Sequence, residues 1–176
     1  IPFVVYEGQT YNTVQIGTQC WLKENLNVGV QIDGNLDQQD NGIIEKYCYD
    51  DLPANCETYG GLYQWDEMMK YTTVVGVNGI CPAGWHLPTV GEYSLLSAIL
   101  GGESVAGGKM KTTGTLEGGT GLWYAPNAGA TNSSGFTGFP GGYGSYSSGL
   151  SYYGGYAGYF WTSTKKTGDP YEVAWN

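Results

Sequence analysis

The 176 residues predict an α+β fold in which small antiparallel sheets and two short helices carry long ordered loops rich in glycine and tyrosine. Three observations lead there. Short β-branched and aromatic runs separated by turn residues open and close the chain, and a complete helix signal occupies residues 89–101. Residues 118–164 then contain no charged side chain, yet keep rings at intervals that would be costly to leave in water. A chain of this length makes one domain, 1–176, with 41% hydrophobic residues to fill its core.

In chain order, Phe3-Val4-Val5-Tyr6, Thr13-Val14-Gln15-Ile16 and Cys20-Trp21-Leu22 read as strands of a meander, with turns at Glu7-Gly8 and Gly17-Thr18. From Asn25 to Asn41 the pattern gives way to Asn, Asp, Gln and Gly, a surface loop. Leu62, Trp65 and Met69 have helical spacing and predict the first short helix, with Asp66 and Glu67 on its solvent face. The second opens with Thr89-Val90-Gly91-Glu92, a capping box. It places Tyr93, Leu96 and Leu100 on one face and ends at Gly101-Gly102. Tyr159 to Ser163 and Tyr171 to Trp175 read as a closing hairpin.

Seven lysines, no arginine and sixteen acids give a net charge of −9, which leaves no basic surface for a phosphate backbone or an anionic membrane. No apolar run reaches the length of a membrane span, so no membrane insertion is expected. Cys48 and Cys56 flank turn residues and suit a local disulfide, which points to a secreted or cell-surface protein. Cys20–Cys81 is the second expected pair.

Several stretches together resemble one family. They are Val14-Gln15-Ile16-Gly17 leading to Trp21-Leu22-Lys23-Glu24-Asn25-Leu26, Thr58-Tyr59-Gly60-Gly61-Leu62-Tyr63-Gln64-Trp65, and Cys81-Pro82-Ala83-Gly84-Trp85-His86-Leu87-Pro88-Thr89. Residues 101–111, Gly135-Phe136-Thr137-Gly138-Phe139-Pro140-Gly141-Gly142 and Phe160-Trp161-Thr162-Ser163 follow. In that order they resemble the Fibrobacter succinogenes major paralogous domain (FISUMP), an expanded family of secreted bacterial proteins. The resemblance implies the C-type-lectin-like fold shared with formylglycine-generating enzymes, and a place in large surface proteins of Bacteroidetes and relatives, beside adhesion or glycan-related modules. Family members usually continue for about one further hairpin. The resemblance therefore implies that this hairpin lies outside the sequence, that a neighbouring chain or domain completes the sheet, or that the protein departs from its family. A cysteine in that hairpin is an alternative partner for Cys81.

No arrangement of nucleophile, base and orienting group emerges. The one histidine, His86, reads as a structural residue hydrogen-bonded inside the fold, and no cysteine follows Cys81 to support formylglycine-type chemistry. The expectation is no enzyme and no cofactor. Calcium is weighed at Asp33, Asn35, Asp37 and Asp40, whose oxygens fall near alternate positions, but the set lacks a later bidentate glutamate and a solvated acidic loop is the favoured reading.

The most informative candidate is the uncharged segment 141–158. Tyr143, Tyr146, Tyr152, Tyr153 and Tyr156, with Trp123 before them, offer rings that stack on sugar faces and hydroxyls that hydrogen-bond. A structural loop with its tyrosines packed inward stays open as the alternative. The expected function is a recognition or adhesion module binding a glycan or a surface protein. The alternative is a structural module of a larger surface protein or filament, contacting neighbouring chains.

Overall fold

Strands β1 (Phe3–Tyr6), β2 (Gln9–Ile16) and β3 (Gln19–Leu22) pair antiparallel in that order, as alternation of apolar and polar residues around two tight turns requires. The computed structural model describes residues 1–145, 150–166 and 169–175. The predicted loop over 25–41 is irregular except for β4 (Val30–Gln31), which pairs in parallel with β5 (Glu45–Lys46). A 3₁₀ turn (Tyr49–Asp51) leads into α1 (Pro53–Tyr59), and α2 (Trp65–Met68), α3 (Val90–Ile99) and α4 (Glu103–Met110) follow. Hairpins β6 (Tyr143–Ser145) with β7 (Leu150–Tyr152) and β8 (Gly158–Lys166) with β9 (Asp169–Trp175) complete an α+β fold of small sheets.

Four helices appear among the described residues where two were expected, one of the extra pair explained locally and the other by a tertiary contact. Pro53 sits in the first turn of α1, where its fixed φ suits a helix and its missing N–H costs nothing, so the turn-like composition around it conceals a helix start. In α4, Gly107-Gly108 argues against a helix by propensity. Packing overrides it, because a Cβ on Gly108 would lie 2.4 Å from the Gly129 carbonyl oxygen, and the loop can approach only over glycine.

The α3 capping box forms as predicted: Thr89 Oγ1 accepts from Glu92 N, and Glu92 Oε2 accepts from Thr89 N at 2.8 Å. Two further expectations are corrected. Glu67 is buried rather than on a solvent face, its carboxylate accepting from Glu45 N at 2.9 Å and from the Tyr71 hydroxyl at 2.8 Å. His86 is half-exposed on the loop before α3, not enclosed in the fold, and its Nε2 meets Glu92 Oε1 at 2.8 Å. A buried helix face near a sheet needs an acceptor for the free Glu45 amide, and that need outweighs the cost of desolvating the carboxylate.

The core divides in two. One cluster gathers Ile16, Trp21, Tyr93, Leu96, Leu100, Ala106, Met110 and Phe136, with Val14 and Phe160 packed on it. The other gathers Tyr11, Val28, Trp65, Met68, Met69, Ile80 and Leu87, with Leu22, Tyr63, Cys81 and Trp161 among its margin. Because successive strand residues face opposite ways, β3 sends Trp21 into the first cluster and Leu22 into the second, and β8 does the same with Phe160 and Trp161.

Candidate binding surface

The uncharged segment forms two contiguous groups of rings on a turn. Tyr143, on β6, lies 5.6 Å from Tyr152 and 5.9 Å from Tyr153, both nearly parallel to it, and meets Tyr159 edge-on at 5.1 Å. The chain then turns over residues 153–156, with Tyr156 N donating to Tyr153 O at 2.9 Å. Past the turn Tyr156 stacks on Tyr124, centroids 4.4 Å apart. Tyr153 and Tyr156 are 55% and 60% exposed, and Tyr152 and Tyr124 also stand in solvent. These rings face outward.

Glycine makes this possible at two adjacent positions. A Cβ on Gly154 would fall 2.5 Å from the Tyr49 ring, and one on Gly155, at φ +82°, would fall 2.6 Å from the Tyr124 ring. The turn is tied down by its main chain: Gly154 N donates to the Tyr49 hydroxyl at 3.0 Å, Gly155 N to Pro140 O at 2.9 Å, and Tyr124 N to Gly155 O at 2.7 Å. Tyr49 belongs to the 3₁₀ turn beside the Cys48–Cys56 disulfide, which forms as expected, and Asp50 N donates to Ser151 Oγ at 2.8 Å. The disulfide loop thus buttresses the tyrosine turn. Aromatic rings already ordered before contact lose little entropy on binding.

Trp123 is a correction. It is 2% exposed, with its indole N–H on Thr112 Oγ1 at 3.0 Å and the Lys111 ammonium 4.9 Å over its ring. The larger apolar ring takes the interior here and Tyr124 stands outward. Tyr146 lies outside the described residues. The structure gathers Tyr143, Tyr152 and Tyr153 in one group and Tyr156 with Tyr124 in another; Tyr124 and the supporting Tyr49 are additions from the structure.

The acidic loop behaves differently. Asp33, Asn35, Asp37 and Asp40 are all exposed; Asp33 Oδ1 accepts from Asn35 N at 3.2 Å and Asp37 Oδ1 from Gln64 Nε2 at 2.8 Å. Among the described residues, no three carboxylate, histidine or cysteine side chains converge on one point.

A concavity of about 780 Å³ runs between the meander and the closing hairpin. Its walls include Cys20, Trp21 and Leu22 on one side, Phe160 and Trp161 on the other, and Cys81 with His86 at the loop before α3. Cys20 and Cys81 are both free thiols, which corrects the expected second disulfide. Alternation along β3 turns Trp21 inward and Cys20 outward to solvent, while Cys81 packs at the margin of the second core cluster. Burial pushes the Cys81 thiol up to about 12.

The model of the Fibrobacter succinogenes major domain matches residues 14–175. The chain belongs to this family. The matched span of the Fibrobacter succinogenes major domain runs from within β2 to the end of β9, so the tyrosine turn and all the walls of the concavity except Ile1 lie inside it. No curated protein and no solved structure matches the chain. Among the described residues no helix is long and apolar enough to cross a membrane.

Proposed function

We propose that this domain is a non-catalytic recognition module of a secreted or cell-surface protein, and that it binds a neutral glycan on the face formed by Tyr124, Tyr152, Tyr153 and Tyr156. The observation that carries the reading is the stacked Tyr124–Tyr156 pair standing in solvent beside Tyr152 and Tyr153, on a turn fixed by main-chain bonds. A pyranose ring offers an apolar C–H face and equatorial hydroxyls, which match a phenol face and its hydroxyl. Contiguous exposed aromatics of this kind mark interaction sites on otherwise soluble domains. The local Cys48–Cys56 disulfide supports an oxidising compartment.

A C-type-lectin-like arrangement is part of the same proposal, supported by the succession of an N-terminal meander, a capped helix, a long loop region and a closing hairpin. Binding by stacking and neutral hydrogen bonds gives an affinity that changes little between low and physiological salt.

A glycan array tests the proposal on the native chain and on the combined Tyr152→Ala, Tyr153→Ala, Tyr156→Ala variant. The expected result is at least one neutral glycan bound by the native chain and weakened about a hundredfold in the variant, if each ring contributes about as much as an aromatic pair. Native binding unchanged by the three substitutions removes this face from consideration.

A further inference from the structure

The tyrosine turn carries its exposed rings on two platforms rather than one. Tyr153 lies 5.9 Å from Tyr143 and Tyr156 lies 4.4 Å from Tyr124, each pair 26° from parallel. Tyr153 and Tyr156 nevertheless keep more than half of their surface in solvent. They occupy the first and fourth positions of one turn, closed by the bond from Tyr156 N to Tyr153 O, and the Cα atoms at such corners lie within about 7 Å of each other. Tyr153 also holds φ at +59°, a left-handed conformation that a bulky residue rarely adopts and that glycine, present at the next two positions, takes freely. The ring is kept there against the preference of the backbone.

Charge adds a second mark. Glu117 Oε2 accepts from Ala125 N at 2.9 Å, which sets an exposed carboxylate beside the Tyr124 main chain. Leu116, its neighbour, packs on the same turn, since a Cβ on Gly155 would lie 3.3 Å from Leu116 Cδ1. Asp50, also exposed, donates through its main-chain N–H to Ser151 Oγ, next to Tyr152. The Lys111 ammonium lies over the Trp123 ring in a residue 5% exposed, so no ligand of the turn reaches it.

We infer that the ligand of this face is an oligosaccharide of uncharged sugars, with one ring on the Tyr153 platform and another on the Tyr156 platform, and that Glu117 and Asp50 select against acidic sugars. The inference rests on the reading of the face as a glycan site. A single sugar covers one platform, whereas a chain covers both and gains the second stack without a second loss of translational freedom. A uronate or sialic acid held about 4 Å from a carboxylate meets repulsion worth about a fivefold loss of affinity even in water.

The test is calorimetric titration of the native 176-residue chain with cello-, manno- and malto-oligosaccharides of increasing length, from the monosaccharide up, and with the same chains oxidised at their primary hydroxyls to uronates. At least one neutral series should show a rise of about fivefold in affinity at the length that first spans both platforms, and no further rise beyond it. Tyr153→Gly, which relieves the left-handed backbone while removing one ring, and Tyr156→Ala, which removes the other, should each abolish that rise and leave the monosaccharide affinity within about twofold to fivefold of native. Oxidation to the uronate should weaken the bound chain about fivefold or more, and Glu117→Gln, whose amide oxygen still accepts from Ala125 N, should recover part of the loss, more so at low salt. The inference is overturned, with the glycan reading intact, if a monosaccharide binds as tightly as its longest chain, if the rise survives either tyrosine substitution, or if the uronate chain binds as well as the neutral one. Binding of no series, neutral or oxidised, removes the glycan reading and this inference with it.

Discussion

Cys20 and Cys81 border the same concavity but differ in chemistry. Cys20 stands in solvent, whereas burial holds the Cys81 thiol at about 12, so its thiolate fraction near pH 8 is on the order of one in ten thousand. Alkylation of the native protein followed by peptide mapping should modify Cys20 first and leave Cys81 largely intact until denaturant is added; equal rates contradict the burial described. Glu92 gives a pH signature. Burial pushes its carboxyl up, but the Thr89 main-chain N–H, His86 and the Thr89 hydroxyl together hold it below the usual glutamate value. A lowered folded value stabilises the native state above the unfolded value of about 4.3, and that contribution is lost as the pH falls through the lower folded value. Glu92→Ala should therefore cost about 1 kcal/mol near neutral pH, the usual worth of a cap, with the deficit shrinking in thermal melts below pH 4. The capping box was legible because Thr89 and Glu92 are close in sequence. Burial of Glu67 was not, because it answers to the Glu45 amide, 22 positions away.

At the scale of elements, the disulfide, the 3₁₀ turn and α1 form one support for the tyrosine turn, through the Tyr49 hydroxyl and the Asp50 amide. Cys48 and Cys56 are separated by 8 positions, a loop whose closure is worth about 2–3 kcal/mol in the chain-entropy model. Replacing both by serine should lower stability by about that amount in urea unfolding, and should speed amide hydrogen exchange at Gly154 before it affects α3. Exchange at Gly154 unaltered by the double replacement contradicts the support. Helices legible from the sequence were those with a local signal, and α3 had both caps. Helix α4 has glycines in its interior that only the Gly108–Gly129 contact explains, a pairing that propensity does not register. The tyrosine spacing showed where rings accumulate but not their direction: Trp123 inward and Tyr124 outward differ by one residue and by which of the two fills space against Lys111 and Thr112.

For the molecule as a whole, two core clusters and several small sheets form a base that carries a ring-bearing turn. Class, meander, main helix and closing hairpin were all written in local pattern. The division of the core and the concavity along it arise from strands meeting across more than a hundred residues, beyond any periodicity. The measurement closest to the central claim is two-dimensional NMR of the chain titrated with a neutral glycan that it binds, at low and at physiological salt. The ring resonances of Tyr124, Tyr152, Tyr153 and Tyr156 should shift together, with the same Kd at both salt concentrations, while those of Trp21 and Phe160 stay fixed. Shifts confined to Trp21, Phe160 and their neighbours, or an affinity that collapses with salt, would contradict it.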